Sequence, residues 1–195
     1  MEFVDLVKNR RSVRKYKSDP VAKEDILKIL DAANWAPSAM NWQPWEFIVV
    51  SGEWMKRLGD SYREVVKGFS ESLYKKDDSK IISGEEFIKF AAVYGGAPLA
   101  VIVLAKANED PGVRKANLES ASAAMQNLIL AAADLGLGTC WMTGPLKDEK
   151  NLRRILGVPE DREIVAITPL GYPDAVPKPP LRKDPGLKDK IKWLE

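Results

Sequence analysis

The chain has 195 residues, with 30 Lys and Arg against 28 Asp and Glu, a formal charge of +2 at neutral pH. That length suits one domain with a sizeable core, and a charge so near balance gives no global field favouring nucleic acid or an anionic membrane. There is no histidine and one cysteine, Cys140, which excludes Ser-His-Asp and Cys-His catalysis, an internal disulfide, a CxxC pair and most zinc sites.

The elements follow from hydrophobic spacing. Phe3, Val4, Leu6 and Val7 predict a short amphipathic helix ending before Arg10. Pro20 opens a second helix, whose buried face is Ile26, Leu27, Ile29, Leu30 and Ala33; Pro37 stops it. Glu46 to Ser51 reads as a strand buried on both faces. Trp54 to Val66 is helical, SESLYKKDDSK (70–80) is an exposed connection or short helix, and Glu85 to Val93 is helical again. GGAP (95–98) breaks that helix before the apolar strand LAVIVLA (99–105). NEDPG is a loop.

Arg114 to Leu135 is the longest helix signal. Its centre, ASAAMQNLILAAA, is small and apolar around most of its circumference, a pattern of burial on nearly all sides, and Gly136 caps it. Such a surface is more than one small domain usually covers, which hints at a dimer. TCWMT (139–143) predicts a strand, Asp148 to Leu156 a short helix, and EIVAITPLG a further strand. The end is proline-rich and extended, then a small amphipathic helix. The fold class is α+β, or three-layer α/β, in a single domain spanning 1–195. The longest apolar run, Ala121 to Ala133, is too short to span a bilayer. The N-terminus lacks a secretory apolar core, so a soluble, cytoplasmic protein is expected.

Four segments bear on chemistry. GLGTCW (136–141) contains Gly-x-Gly, but it follows a helix and precedes a strand, the reverse of a dinucleotide fingerprint; a helix cap and turn is the better reading. NRRSVRKY (9–16) gathers Arg10, Arg11, Ser12 and Arg14, the charged and neutral donors that a phosphate needs, or else a solvated basic loop. LRK (181–183) is a second basic cluster that gains meaning only if the tail returns to the first. PSAMNWQPW (37–45) offers Ser38, Asn41 and Gln43 beside flat apolar surface; it suits a planar heteroaromatic ring with polar edges, or its tryptophans plug a core. Cys140 sits in a buried strand as a small hydrophobe. The carboxylates form no acid/base pair or metal constellation.

Together RRSVRKY, ILDAANWAPSAMNWQPWEFIVV, GGAPLAVIVL, AAMQNLILAAADLGLGTCWMTG, LGVPEDREIVAITPLGYP and the PKPPLRK tail resemble, in order and nearly end to end, the nitroreductase family of FMN-dependent oxidoreductases. The resemblance implies an α/β/α sandwich with a mixed, mainly antiparallel sheet, in an intertwined homodimer with FMN at the interface. It implies that Arg10, Arg11, Ser12 and Arg14 hold the FMN phosphate, ribityl chain and pyrimidine edge. Arg182, assisted by Lys183, closes on the phosphate. Pro37, Ser38, Ala39, Met40 and Asn41 reach the flavin of the neighbouring subunit. Met142, Thr143 and Gly144 form a turn whose backbone approaches the ring; many relatives have glycine where this chain has Thr143. The tail, 173–195, packs on the partner, and 53–93 is a variable substrate-side segment.

The implied activity is ping-pong hydride transfer from NADH or NADPH through flavin N5 to a small-molecule acceptor such as a nitroaromatic or quinone. No protein acid or nucleophile is then obligatory. The rivals are a specialised flavoenzyme on the same scaffold (a reductive dehalogenase or enoate reductase) and a non-catalytic flavin-binding module.

Overall fold

The computed structural model describes residues 2–73 and 84–194. In chain order the elements are α1 (Phe3–Asn9), α2 (Lys23–Asn34), β1 (Trp45–Ser51), α3 (Glu53–Leu73), α4 (Gly84–Val93), β2 (Leu99–Lys106), α5 (Pro111–Asp134), β3 (Gly138–Thr139), α6 (Glu149–Leu156) and β4 (Arg162–Gly171). Residues 74–80 of the connection expected at 70–80 lie outside the described residues; residues 70–73 belong to α3.

The strands form one sheet in the order β1-β2-β4-β3, with every ladder antiparallel. Among the described residues, parallel pairing is confined to an isolated bridge from Ser12 to Thr139. β2 lies inside the sheet, and its alternation builds two cores. Ala100, Ile102 and Leu104 face a cluster with Leu58, Tyr62, Phe90 and Tyr94 from the α3 and α4 side. Leu99, Val101, Val103 and Ala105 face Ile29, Ala33, Met125 and Leu128 from α2 and α5. The result is the three-layer α/β/α arrangement. The register slips between Val103 and Leu104, a bulge that adds local twist to β4.

Several elements differ from expectation, each for a physical reason. β1 is an edge strand, so its outer residues lack cover: Val49 is 41% exposed. α2 starts at Lys23, after an extended cap at Ala22 and with Val21 buried in the α2/α5 core. α5 starts earlier than Arg114: Asp110 Oδ1 accepts the Val113 N–H at 2.8 Å, and Pro111 sits at the first helical position, a favoured start. Its apolar surface is not wholly covered, since Glu119 and Gln126 reach solvent and Ala123 and Leu130 are half-buried.

The expected strand at 139–143 is interrupted. Thr139 pairs with Leu170 and Met142 with Ile167 in one register, which sets Cys140 and Trp141 opposite Pro169 and Thr168. Pro169 has no N–H to give, and the Cys140 N–H turns to Thr168 Oγ1 at 3.2 Å. The tail carries turns at 185–190 and no helix. Among the described residues no helix is long and apolar enough to cross a membrane.

Candidate functional site

The basic segment is built into the sheet's rim. The Val13 N–H bonds Thr139 O at 2.9 Å, Tyr16 N–H bonds Gly95 O at 3.0 Å, and Lys17 N–H bonds Tyr172 O at 2.9 Å. Two glycines permit this approach. A Cβ on Gly138 would lie 2.8 Å from Val13 Cβ, and one on Gly95 only 2.3 Å from Arg14 O. Gly95 also has φ +69°, the left-handed region that disfavours a side chain. Val13 and Tyr16 are buried while Arg10, Arg11, Ser12 and Arg14 are half-buried, so two apolar anchors hold the segment down and leave its polar side chains partly open.

The tail does return. The Asp174 N–H bonds Lys15 O at 3.0 Å, and Pro173 bridges Tyr16. Pro177, Lys178, Pro180 and Arg182 then meet Arg10, Arg11, Ser12 and Arg14 around a cleft of about 310 Å³. Lys178 lines this cleft where Lys183 was expected; Lys183 does not. Among the described residues no carboxylate is paired with Arg10, Arg11, Arg14 or Arg182. Burial first, then the charge of Arg11, with Arg182 adding to it, lower the Arg10 guanidinium pKa, while Cys140 opposes. Positive charge crowded without a counter-charge is a site made for an anion.

Cys140 lies just behind. Burial pushes its thiol up, with Arg14, Ser12 and Arg10 pulling the other way, so it is a protonated, packed side chain. Beyond it, Met142 departs from expectation: it is buried in the α3/α4-side core, and its N–H and C=O both pair with Ile167 at 3.0 Å. Its backbone donor is therefore spent within the sheet. Thr143 is exposed, and Gly144 is held close under Tyr62, whose hydroxyl would stand 2.6 Å from a Cβ there. This contact gives the otherwise unmatched α3 a place beside the turn.

Residues 37–43 form a separate feature. Trp45 Nε1 donates to Asn34 Oδ1 at 3.0 Å, closing the loop's ends. Trp45 plugs the core, whereas Trp42 is half exposed and Met40 is 82% exposed. Met40, Asn41 and Gln43 all have positive φ, at 48°, 56° and 48°. Ser38 Oγ accepts the Gln43 N–H at 3.1 Å, so this hydroxyl closes the loop. Ser120 Oγ on α5 accepts the Ala39 N–H at 3.3 Å. Sequence reasoning passed over Ser120; a buried serine in an alanine-rich helix was its signal.

The loop does not meet the basic cleft of its own chain along α5. It is anchored at Ser120, while Thr139 beside the cleft follows the C-terminal end of the same helix. Ser120 to Asp134 is 14 residues, about 21 Å of helix at ~1.5 Å per residue.

A family model described as the nitroreductase family matches residues 7–172. The chain belongs to the nitroreductase family. Membership makes it an oxidoreductase. This family member is 35% identical over 178 residues to a protein of Archaeoglobus fulgidus described provisionally as NADH dehydrogenase/NAD(P)H nitroreductase, covering 88% of this chain and 86% of that one. It is 31% identical over 184 residues to an iodotyrosine deiodinase of Thermotoga neapolitana, covering 90% of each. A crystal structure of a nitroreductase with bound FMN from Desulfitobacterium hafniense matches with a TM-score of 0.74 at 26% identity, covering 98% of this chain and 97% of that one. The guanidinium groups of the cleft, which no carboxylate neutralises among the described residues, fit the phosphate of such a cofactor even though Arg11 and Arg14 also donate to nearby backbone carbonyls. Among the described residues there is no cluster of metal-ligating side chains.

Proposed function

We propose that this chain is an FMN-dependent oxidoreductase acting as a homodimer, taking reducing equivalents from NADH or NADPH and passing them to nitroaromatic, quinone or similar acceptors. The observation that carries this reading is the cleft in which Arg10, Arg11, Ser12, Arg14, Lys178 and Arg182 converge with no carboxylate among the described residues to neutralise them. FMN, when bound, would supply the two-electron chemistry that no side chain here can provide.

The protein's own part is binding and orientation. Arg10, Arg11 and Arg182 would neutralise the phosphate, with Ser12 as a neutral donor and Lys178 as a further charge. Arg14, on the same extended segment, would set positive charge at the ring's pyrimidine edge and favour electron-rich states there. Thr143 and Gly144 would present their backbone to the ring, propped by Tyr62. Met142 would contribute through packing.

Separation within one chain supports the dimer. The 37–43 loop and the basic cleft lie toward opposite ends of α5, so one cofactor touching both would draw them from two chains. Exposed apolar side chains support the same reading: Phe3, Val4, Trp35, Met40, Leu181, Trp193 and Leu194 are all exposed in the single chain, and a partner subunit would give such side chains cover. The tail past Arg182 would pack on the partner.

The first test is an absorption spectrum before and after anaerobic NADH or NADPH. Flavin bands that bleach are expected. A colourless protein that takes up no added FMN would sink the reading. The likeness to an iodotyrosine deiodinase supports a second reading, reductive dehalogenation on the same scaffold. Anaerobic turnover of 3-iodotyrosine against a nitroaromatic panel separates the two.

A further inference from the structure

The 37–43 loop carries more internal order than an exposed connection requires. Three of its residues, none glycine, occupy the left-handed region. Such conformations persist where the surroundings over-determine them. Here the surroundings are hydrogen bonds: Ala39 to Ser120, Gln43 N–H to Ser38, and Trp42 N–H to Ala39 O at 2.9 Å.

The remaining bonds have a direction. Gln43 Nε2 donates to Asn41 O at 3.2 Å and to Asn41 Oδ1 at 3.0 Å. A free side-chain amide can present either its oxygen or its nitrogen. By engaging Oδ1, Gln43 settles which: Asn41 Nδ2, with two N–H donors, is left without a partner among the described residues, on an exposed side chain. Holding a long glutamine in one rotamer at the surface costs entropy, and the hydrogen bonds it makes there compete with water. Its clear product is the orientation of the neighbouring amide.

We infer that Gln43 is a positioning residue: it locks Asn41 as an outward hydrogen-bond donor to an acceptor atom, a carbonyl oxygen or ring nitrogen, of the FMN held by a second copy of the chain. This rests on the proposed flavin reading and deepens it. A donor aimed at a ring acceptor stabilises the electron-rich reduced ring more than the oxidised one, so Gln43, without touching the cofactor, raises its reduction potential through Asn41.

The test is a double-mutant cycle read as the midpoint potential of bound FMN at saturating FMN. Asn41→Gly removes the donor, and glycine accepts the left-handed backbone. Gln43→Leu keeps the bulk and frees the Asn41 amide. Both sites are exposed, so folding is not at stake. Each single variant is expected to lower the potential by about 30 mV, tenfold in a two-electron equilibrium, and the double variant no further than Asn41→Gly alone, because one residue acts through the other. Additive shifts, or an unchanged potential in Gln43→Leu, would overturn the inference while leaving the flavin reading intact. A wild-type protein that binds no FMN would remove the flavin reading itself, and this inference with it.

Discussion

The basic segment at 10–16 and the loop at 37–43 both present polar groups, yet they are held in opposite ways. The basic segment is fixed by backbone pairing to residues remote in sequence, Thr139, Gly95 and Tyr172, with Val13 and Tyr16 buried beneath it. The loop is fixed largely by side-chain oxygens, Ser38, Ser120 and Asn41, and is exposed. Crowded like charges repel and must be clamped by structure that does not yield. A surface that meets a second molecule needs a defined shape and free access. The first demand is met with backbone and core, the second with strained turns and caps.

The comparison breaks most readily at Gly95. Gly95→Ala forces a side chain against the Arg14 carbonyl at a positive φ, and a loss of about 2–4 kcal/mol is expected, with FMN affinity falling at least roughly tenfold. Gly136→Ala is the control: φ is +74° with nothing within 4 Å, so only the backbone penalty of about 1 kcal/mol applies. Denaturant midpoints of the two variants check this, and equal losses would deny the clamp.

Next in size is the charge itself. Arg10→Ala with Arg182→Ala should weaken FMN binding about a hundredfold or more, each charged hydrogen bond being worth ~1.5–3 kcal/mol. Thermal stability should hold or rise as like charges separate. Fluorescence titration with FMN measures it; retained affinity would count against the cleft.

The buried frame of the basic segment also predicts a pH response. Tyr16 donates to Val13 O at 2.7 Å, and Tyr94 precedes Gly95. Burial raises both phenol pKa values, for Tyr16 with Cys140 adding and Arg14 opposing, for Tyr94 with Tyr62 adding. The folded state thus keeps protons that the unfolded chain releases, and stability fully present below the unfolded phenol pKa, about 10, is lost progressively as pH rises above it toward the raised folded values. Chemical denaturation from pH 8 to 11 should show the decline, and Tyr94→Phe should flatten it.

Two smaller effects complete the contrast. Ser120→Ala leaves the Ala39 N–H without its acceptor and should cost about 1 kcal/mol, visible in a urea midpoint and as faster proteolysis confined to 37–43. Cys140, protonated and packed, should resist a thiol reagent at neutral pH until the protein is unfolded. Rapid labelling of the native state would show that the region behind the arginines opens.

Much of this was legible along the chain. The 3.6-residue spacing in α2 and the continuous apolar run of β2 announced their elements, because burial selects side chains locally. The arginine cluster and PSAMNWQPW stood out as compositions a plain core does not need. What misled was equally physical. The apolar run of β1 resembles that of β2, yet one lies at an edge and the other inside. Residues 139–143 read as a strand until Pro169, about 30 positions away, denied them a donor.

By itself, the sequence determined most of the helices and strands, their α+β class and the family motifs, since these rest on short-range periodicity and on residue chemistry. Only the tertiary structure decided that Lys178 joins Arg182 at the arginine cleft in place of Lys183. It also decided that Met142 turns into the core, that Gly95 makes room for Arg14, and that Gln43 engages Asn41 Oδ1. These depend on which backbone groups find partners far along the chain or on which way a side-chain amide turns, and neither leaves a periodic trace.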